Sequence, residues 1–198
     1  MRNTPTLHAV PLFVAFVAFV AFVAFAAFSL AACKPTIPPP AAAPGVNVAS
    51  ITVTSKSFST NGPIPIDYTC DGKEQSPQVT WSSPPDGTKS LALVVDDPDA
   101  ASGTFTHWLL YNIAPDATSL AEGVDSQAIG AKLGMNDFEG VRYSGPCPPK
   151  MQIHRYRFHL YALNAMMELK DGADRGQLDT AMSGHVLGEG TLYGTFSH

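Results

Sequence analysis

A mainly β domain is predicted by three observations. Apolar runs of strand length recur along the chain, 16 glycines and 17 prolines punctuate them, and a sustained helical period is legible only near the end. The runs are Ile51 to Phe58, Val79 to Trp81, Leu91 to Val95, His107 to Ile113, Arg155 to Leu163 and Thr191 to Phe196. With the N-terminal segments set aside, about 150 residues remain, enough for one domain with a single core. All 17 acidic residues fall in that part, no basic patch or aromatic-basic stripe is present, and nucleic acid is excluded as a partner.

Residues 1-32 read as an export signal rather than as part of the fold. Val10 to Ala32 is apolar apart from Pro11 and Ser29, and its Ala-Phe-Val triplets would make every side of a helix apolar, as lipid requires. Leu30-Ala31-Ala32-Cys33 resembles the bacterial lipobox, in which the cysteine is acylated and becomes the new N-terminus after cleavage. An uncleaved anchor ending in cysteine is the alternative. Both readings export the rest of the chain and tether it to a membrane, and more than one acyl chain makes such an anchor stable. Residues 33-45 form the lipidated Cys33 and a Pro/Ala linker, expected to be a semi-rigid polyproline spacer. Lys34 stands where an aspartate often signals inner-membrane retention, which favours the outer membrane if the source is Gram-negative.

In the folded part, 46-198, Leu91 to Val95 is followed by Asp96-Asp97-Pro98-Asp99, an acidic turn by composition. The next strand alternates, with His107, Leu109, Tyr111 and Ile113 on one face and Trp108, Leu110 and Asn112 on the other. Apolar groups on both faces indicate a central strand with His107 at its entrance, near the acidic turn. In the Arg155 to Leu163 run, extended back to His154, His154, Tyr156, Phe158 and Leu160 share the core-side face. Arg155, Arg157, His159 and Tyr161 share the other, where Arg155 and His159 are structural or solvated. Carboxylates facing imidazoles at strand ends suit a small-ligand site; the plainer reading is a turn beside satisfied strand-end histidines.

The helical stripe near the end is Leu178, Ala181, Met182, His185 and Val186, with Gly188 as its stop and His185 read as a packed histidine. A further helical turn is expected within Ala165 to Lys170. With Cys33 taken by lipid, Cys70 and Cys147 are an even pair in an oxidising compartment, which predicts a disulfide closing a loop of about eighty residues. Their spacing matches no metal motif, so no metal and no cofactor are expected.

Taken together, these motifs resemble the phosphatidylethanolamine-binding protein family, in its bacterial Raf kinase inhibitor-like branch. The matching pieces are Ser76-Pro77 with Trp81, Gly87-Thr88-Lys89-Ser90, Asp97-Pro98-Asp99-Ala100 and His107-Trp108. They continue with Gly145-Pro146-Cys147-Pro148-Pro149, His154-Arg155-Tyr156 and Gly184-His185-Val186-Leu187-Gly188. The resemblance implies an antiparallel β-sandwich with a few short helices and a small anion-accepting pocket. It places Asp97, Asp99, His107, Pro148, Pro149, His154 and Tyr156 at that pocket. Imidazoles, a phenol and loop N–H groups hold phosphate oxygens, and aspartates hold an ammonium, so a phosphoethanolamine-like ligand would satisfy both halves. Three departures stand out: Ala101 for a proline, Phe105 for a pocket tryptophan, and Lys150-Met151-Gln152-Ile153 for a Gly-Asp approach.

Three functions follow from this reading. The first is a non-catalytic binding or regulatory module for a small anion or headgroup. The second is an inhibitor of an extracytoplasmic protease or other protein target. The third, a hydrolase, lacks both a Gly-x-Ser-x-Gly elbow and a His-Glu-x-x-His motif, and a non-enzyme is expected. The expected location is the cell envelope, facing the periplasm or exterior.

Overall fold

The computed structural model describes residues 39–198; the signal segment and Cys33 lie outside the described residues. In chain order the strands are β1 (Ala49–Ser50), β2 (Val53–Thr54), β3 (Gly62–Pro63), β4 (Val79–Trp81), β5 (Ser90–Asp97) and β6 (Phe105–Ile113). They continue as β7 (Ser119–Leu120), β8 (Lys132–Leu133), β9 (His154–Leu163) and β10 (Val186–Phe196), with one helix, α1 (Arg175–Met182), before the last strand. A seven-stranded sheet runs β1-β10-β9-β5-β6-β8, with β3 also on β10, and a three-stranded sheet runs β2-β4-β7. The central pairings are antiparallel, while β1 and β3 join β10 in parallel, so the large sheet is mixed rather than purely antiparallel.

The pleat divides the core in two. Leu91, Leu93, Val95, Tyr156, Phe158 and Leu160 face the small sheet, meeting Val53, Val79, Trp81 and Leu120. Ala92, Val94, Leu109, Tyr111, Tyr161 and Leu163 face the other way and are covered by Leu178 and Met182 of α1. β5 is buried at every position, as expected for a strand flanked on both sides and covered on both faces.

Several expectations are corrected in detail. Ile51 to Phe58 is not one strand: the chain pairs with β10 as β1, changes sheets, and pairs with β4 as β2. Asp96 and Asp97 lie inside β5, not in the turn, because each finds a cationic or imidazole partner on a neighbouring element. The helix begins earlier than its apolar stripe suggests, at a capping box in which Asp174 and Gln177 satisfy each other's backbone N–H groups. It ends at Met182, since Ser183 is extended and Gly184 takes a φ of 80°. Val186 therefore opens β10, and His185 is part-exposed and bonded to Asn164 Oδ1 at 2.7 Å. Residues 165–170 are irregular rather than helical, fastened by paired bonds between the Asn112 amide and the Met167 backbone. The end of the expected spacer is also not free: Ala42 bridges to Val186, and Ala43 is buried.

Alternation fails along β6 at two places. The register shifts opposite Val95/Asp96 and again opposite Leu91/Ala92, leaving His107 and Asn112 as extra residues in the ladder. Asn112 takes the left-handed conformation at φ 58°. As a result Ile113 joins Trp108 and Leu110 in the inner core, and Leu109 and Tyr111 alone keep the outer face. His107 parts from Leu109 in the same way and turns to the inner side.

Candidate functional site

The site forms where the end of β5 is flanked by the starts of β6 and β9. Asp97 stands opposite Phe105 on β6, and its neighbour Asp96 stands opposite Arg157 on β9. The bulge at His107 aims that ring at the inner face, where its edge meets Tyr156 at a centroid distance of 5.2 Å. Phe105 and Phe138 complete an aromatic cluster around the imidazole, at 5.4 Å each.

His107 is 2% exposed, and its Nδ1 meets the carbonyl oxygens of Ser144 (2.9 Å) and Gly145 (3.1 Å). Both partners are acceptors, so Nδ1 carries the proton and Nε2 is the nitrogen left for a ligand. Burial pushes the pKa of His107 below its ordinary value, against the pull of the Ser144 carbonyl and of the Asp97 charge. The loop is placed by glycine: a Cβ on Gly145 would lie 2.5 Å from the Tyr68 carbonyl oxygen. That approach brings Cys147 to Cys70, and the disulfide forms with a Cα–Cα distance of 5.5 Å.

His154 is 5% exposed and bonds through Nδ1 to Asp97 Oδ2 at 2.6 Å. Its Nε2 meets Gln152 Oε1 at 3.1 Å, so an exposed side chain covers the nitrogen that points outward. Tyr156 is fully buried, and among the described residues its hydroxyl has no hydrogen-bond partner. Burial first, then the Asp97 charge, push its phenol pKa up, so it is a donor at neutral pH. A buried hydroxyl without a partner costs about 1–3 kcal/mol, an energy an accepting ligand would recover.

The structure thus gathers Asp97, His107, His154 and Tyr156. Asp99 turns elsewhere: Arg155 holds both its oxygens at 2.6 and 2.9 Å, and the guanidinium keeps its carboxyl down at about 2. The other Asp97 oxygen accepts from the Asp99 backbone N–H at 2.8 Å. Both aspartates are internally engaged, as are both nitrogens of His154 and Nδ1 of His107, which leaves the Tyr156 hydroxyl and His107 Nε2 as the atoms of the site without a partner among the described residues. Pro148 is buried and Pro149 exposed; the Pro149 carbonyl receives the Gln152 N–H at 3.1 Å.

Two contributors carried no sequence signal. Phe138 arrives from an irregular segment, and Asn136 ties that segment to the site through bonds to the His107 carbonyl and Ser144 Oγ. A depression of about 640 Å³ lies along α1, lined by Leu169, Gln177, Thr180 and Ala181 among others. Its lining contains no imidazole, whereas the sheet end gathers two.

Comparison with known proteins matches residues 54–197 to the model of the family described as phosphatidylethanolamine-binding protein. This chain belongs to that family. A UPF0098 protein of Methanothermobacter thermautotrophicus is 47% identical over 143 residues, covering 71% of this chain and 94% of the relative. A Mycobacterium tuberculosis protein named "Putative lipoprotein LppC" is 40% identical over 162 residues, 81% of this chain and 76% of its own. The crystal structure of E. coli YbcL, described as a new member of the mammalian PEBP family, superposes with a TM-score of 0.71 at 28% identity. It covers 76% of this chain and 99% of its own. The phosphatidylethanolamine-binding-protein fold is therefore shared along the folded domain, and membership points to a binding or regulatory role.

Proposed function

We propose that this family member is a lipid-anchored envelope protein whose sheet-end pocket binds a phosphate-bearing small molecule or a phospholipid headgroup, without catalysing a reaction. The observation that carries the reading is the buried, unpartnered hydroxyl of Tyr156 with the His107 ring against its own, beside the His154–Asp97 pair. Oxygens of a phosphate match such donors. The lipobox-like Leu30 to Cys33 and the LppC relative support the anchor and the envelope location.

Calorimetric titration of the detergent-solubilised full-length chain with phosphate and with phosphoethanolamine tests the site. Saturable binding lost in the His107→Ala/His154→Ala variant is expected. Equal affinity for both ligands marks the phosphate group as the element recognised, and tighter phosphoethanolamine binding marks the headgroup. Absence of binding by the unaltered protein refutes the anion site.

A second reading, an inhibitor that docks on a protein target, is favoured by the pocket mouth. Met151 is 97% exposed and Ile153 72% exposed, flanking the Gln152 that covers His154. Retention of partner inhibition in the double-histidine variant, with its loss in Met151→Ser/Ile153→Ser, would support this alternative.

A further inference from the structure

On the far side of the proline loop, three further chemistry-bearing side chains converge. Cys70 and Cys147 form the disulfide, and the His198 ring lies against it: one donor atom from each of the three residues falls within 4.8 Å of the others. His198 is delivered by β10, just beyond Phe196, whose ring meets the imidazole edge at 5.7 Å. The imidazole is held at both nitrogens. Nδ1 meets Asp71 Oδ2 at 2.7 Å and Nε2 meets the Pro148 carbonyl at 2.7 Å.

We propose that, once the disulfide is reduced, Cys70, Cys147 and His198 form a binding site for a thiophilic divalent metal ion of the zinc class. Two thiolates and an imidazole are the donors that such an ion prefers in tetrahedral sites. The geometry asks little of the backbone. Metal–sulfur bonds of about 2.3 Å separate two tetrahedral thiolates by roughly 3.7 Å, a distance reached from a broken bridge by side-chain rotation. Binding the metal costs the ring one of its two present contacts and keeps the other as a second-layer partner: Asp71 if Nε2 binds, the Pro148 carbonyl if Nδ1 binds and Asp71 is released. The fourth position falls to the Asp71 carboxylate or to water.

Cys147 is exposed, so a small or protein dithiol reaches the bridge. The dithiol gives up two electrons and two protons and becomes a disulfide, while Cys70 and Cys147 become thiols. Metal binding then displaces the two thiol protons to solvent. The ion takes over the cross-link between the Thr69–Asp71 turn and the loop bearing Pro148 and Pro149, so that loop stays fastened under reducing conditions. No linear motif announces the site, because His198 reaches it from 51 positions beyond Cys147 in the sequence.

Cobalt(II) is the probe, added to the detergent-solubilised full-length chain before and after reduction with a phosphine. The reduced protein should take up stoichiometric cobalt with thiolate-to-metal charge-transfer and tetrahedral d–d absorption, and zinc should displace it. The oxidised protein should show neither band. His198→Ala should weaken cobalt binding by at least about tenfold. Cys70→Ser/Cys147→Ser should abolish the bands; Cys33 is present in every variant, so bands that survive there overturn the assignment. If that variant does not fold, the oxidised and reduced forms of the unaltered chain provide the same contrast. A reduced protein without thiolate bands, or with His198→Ala binding unchanged, also refutes the site.

Discussion

If the pocket binds an anion at His107, its affinity must depend on pH in a definite direction. The ring is buried, and its Nδ1–H is committed to two backbone carbonyls, so a ligand meets Nε2 alone. Desolvation is the largest influence on it and holds its pKa below the ordinary 6.5, opposed by the carbonyls of Ser144 and Gly145 and by the Asp97 and Asp96 charges. At neutral pH the free protein therefore presents a lone pair, not a proton, at Nε2. An anion that accepts a hydrogen bond there needs a second proton on the ring, so binding takes up a proton. Affinity then rises as pH falls from the pKa of the bound form toward the depressed pKa of the free form, and levels off below it. Within that window the gain reaches up to tenfold per pH unit, about 1.4 kcal/mol.

The assay needs a ligand whose own charge is constant, such as glycerophosphoethanolamine. Calorimetry from about pH 5 to 8, in buffers of different ionisation heat, reads affinity and proton uptake together. Replacing His107 by Gln should remove the slope and cost about 1.5–3 kcal/mol at the acidic end, the value of a hydrogen bond to a charged group. Flat affinity with no proton uptake, or a slope that persists unchanged in His107→Gln, refutes the reasoning. The ligand-free fold follows the linked rule. The unfolded chain takes up the His107 proton first, so this contribution to stability is full above 6.5 and is lost as pH falls toward the depressed native pKa.

Three other perturbations have expected outcomes. Gln152→Ala uncovers His154 Nε2 and should raise anion affinity severalfold, up to about tenfold for one neutral hydrogen bond released, as read by the same calorimetry. Removing the bridge by Cys70→Ser/Cys147→Ser opens a loop with a sequence separation of 77 and should cost about 4 kcal/mol in urea unfolding. Asp96→Asn leaves Arg157 and Arg175 without the buried carboxylate both contact, at 2.7 and 2.9 Å, and should cost about 3 kcal/mol in urea unfolding. Its effect on anion affinity should stay small, since Asp96 faces α1 and not the pocket.

The elements that positioned the site were legible where a local pattern and a tertiary contact agreed. β9 alternates along its length, so the facing of His154, Tyr156 and Phe158 follows from period alone. β6 misleads because two bulges interrupt it; the left-handed Asn112 is the one local hint, since asparagine tolerates that conformation. The late helix misleads for a different reason. Its apolar stripe runs on through His185 and Val186, but Gly184 breaks the backbone, and the ladder with Leu163 claims Val186 for β10. The partners of Asp99 and His198 were illegible because each is met by a residue fifty or more positions away.

Two adjacent carboxylates show how one strand end serves both fold and site. Successive residues of β5 point to opposite faces, so Asp96 and Asp97 share burial but not surroundings. Asp96 turns to the outer face, where two arginines bind it, and Arg175 passes the contact on to Asp179 within α1. Asp97 turns inward and fixes His154 at the candidate site. The bulge opposite Val95 and Asp96 adds the step that alternation alone cannot supply, since it brings His107 to the same inward side. Without that extra residue the imidazole would follow Leu109 to the face covered by α1. The candidate site is thus a consequence of one inserted position in β6, placed beside the one carboxylate of β5 that looks inward.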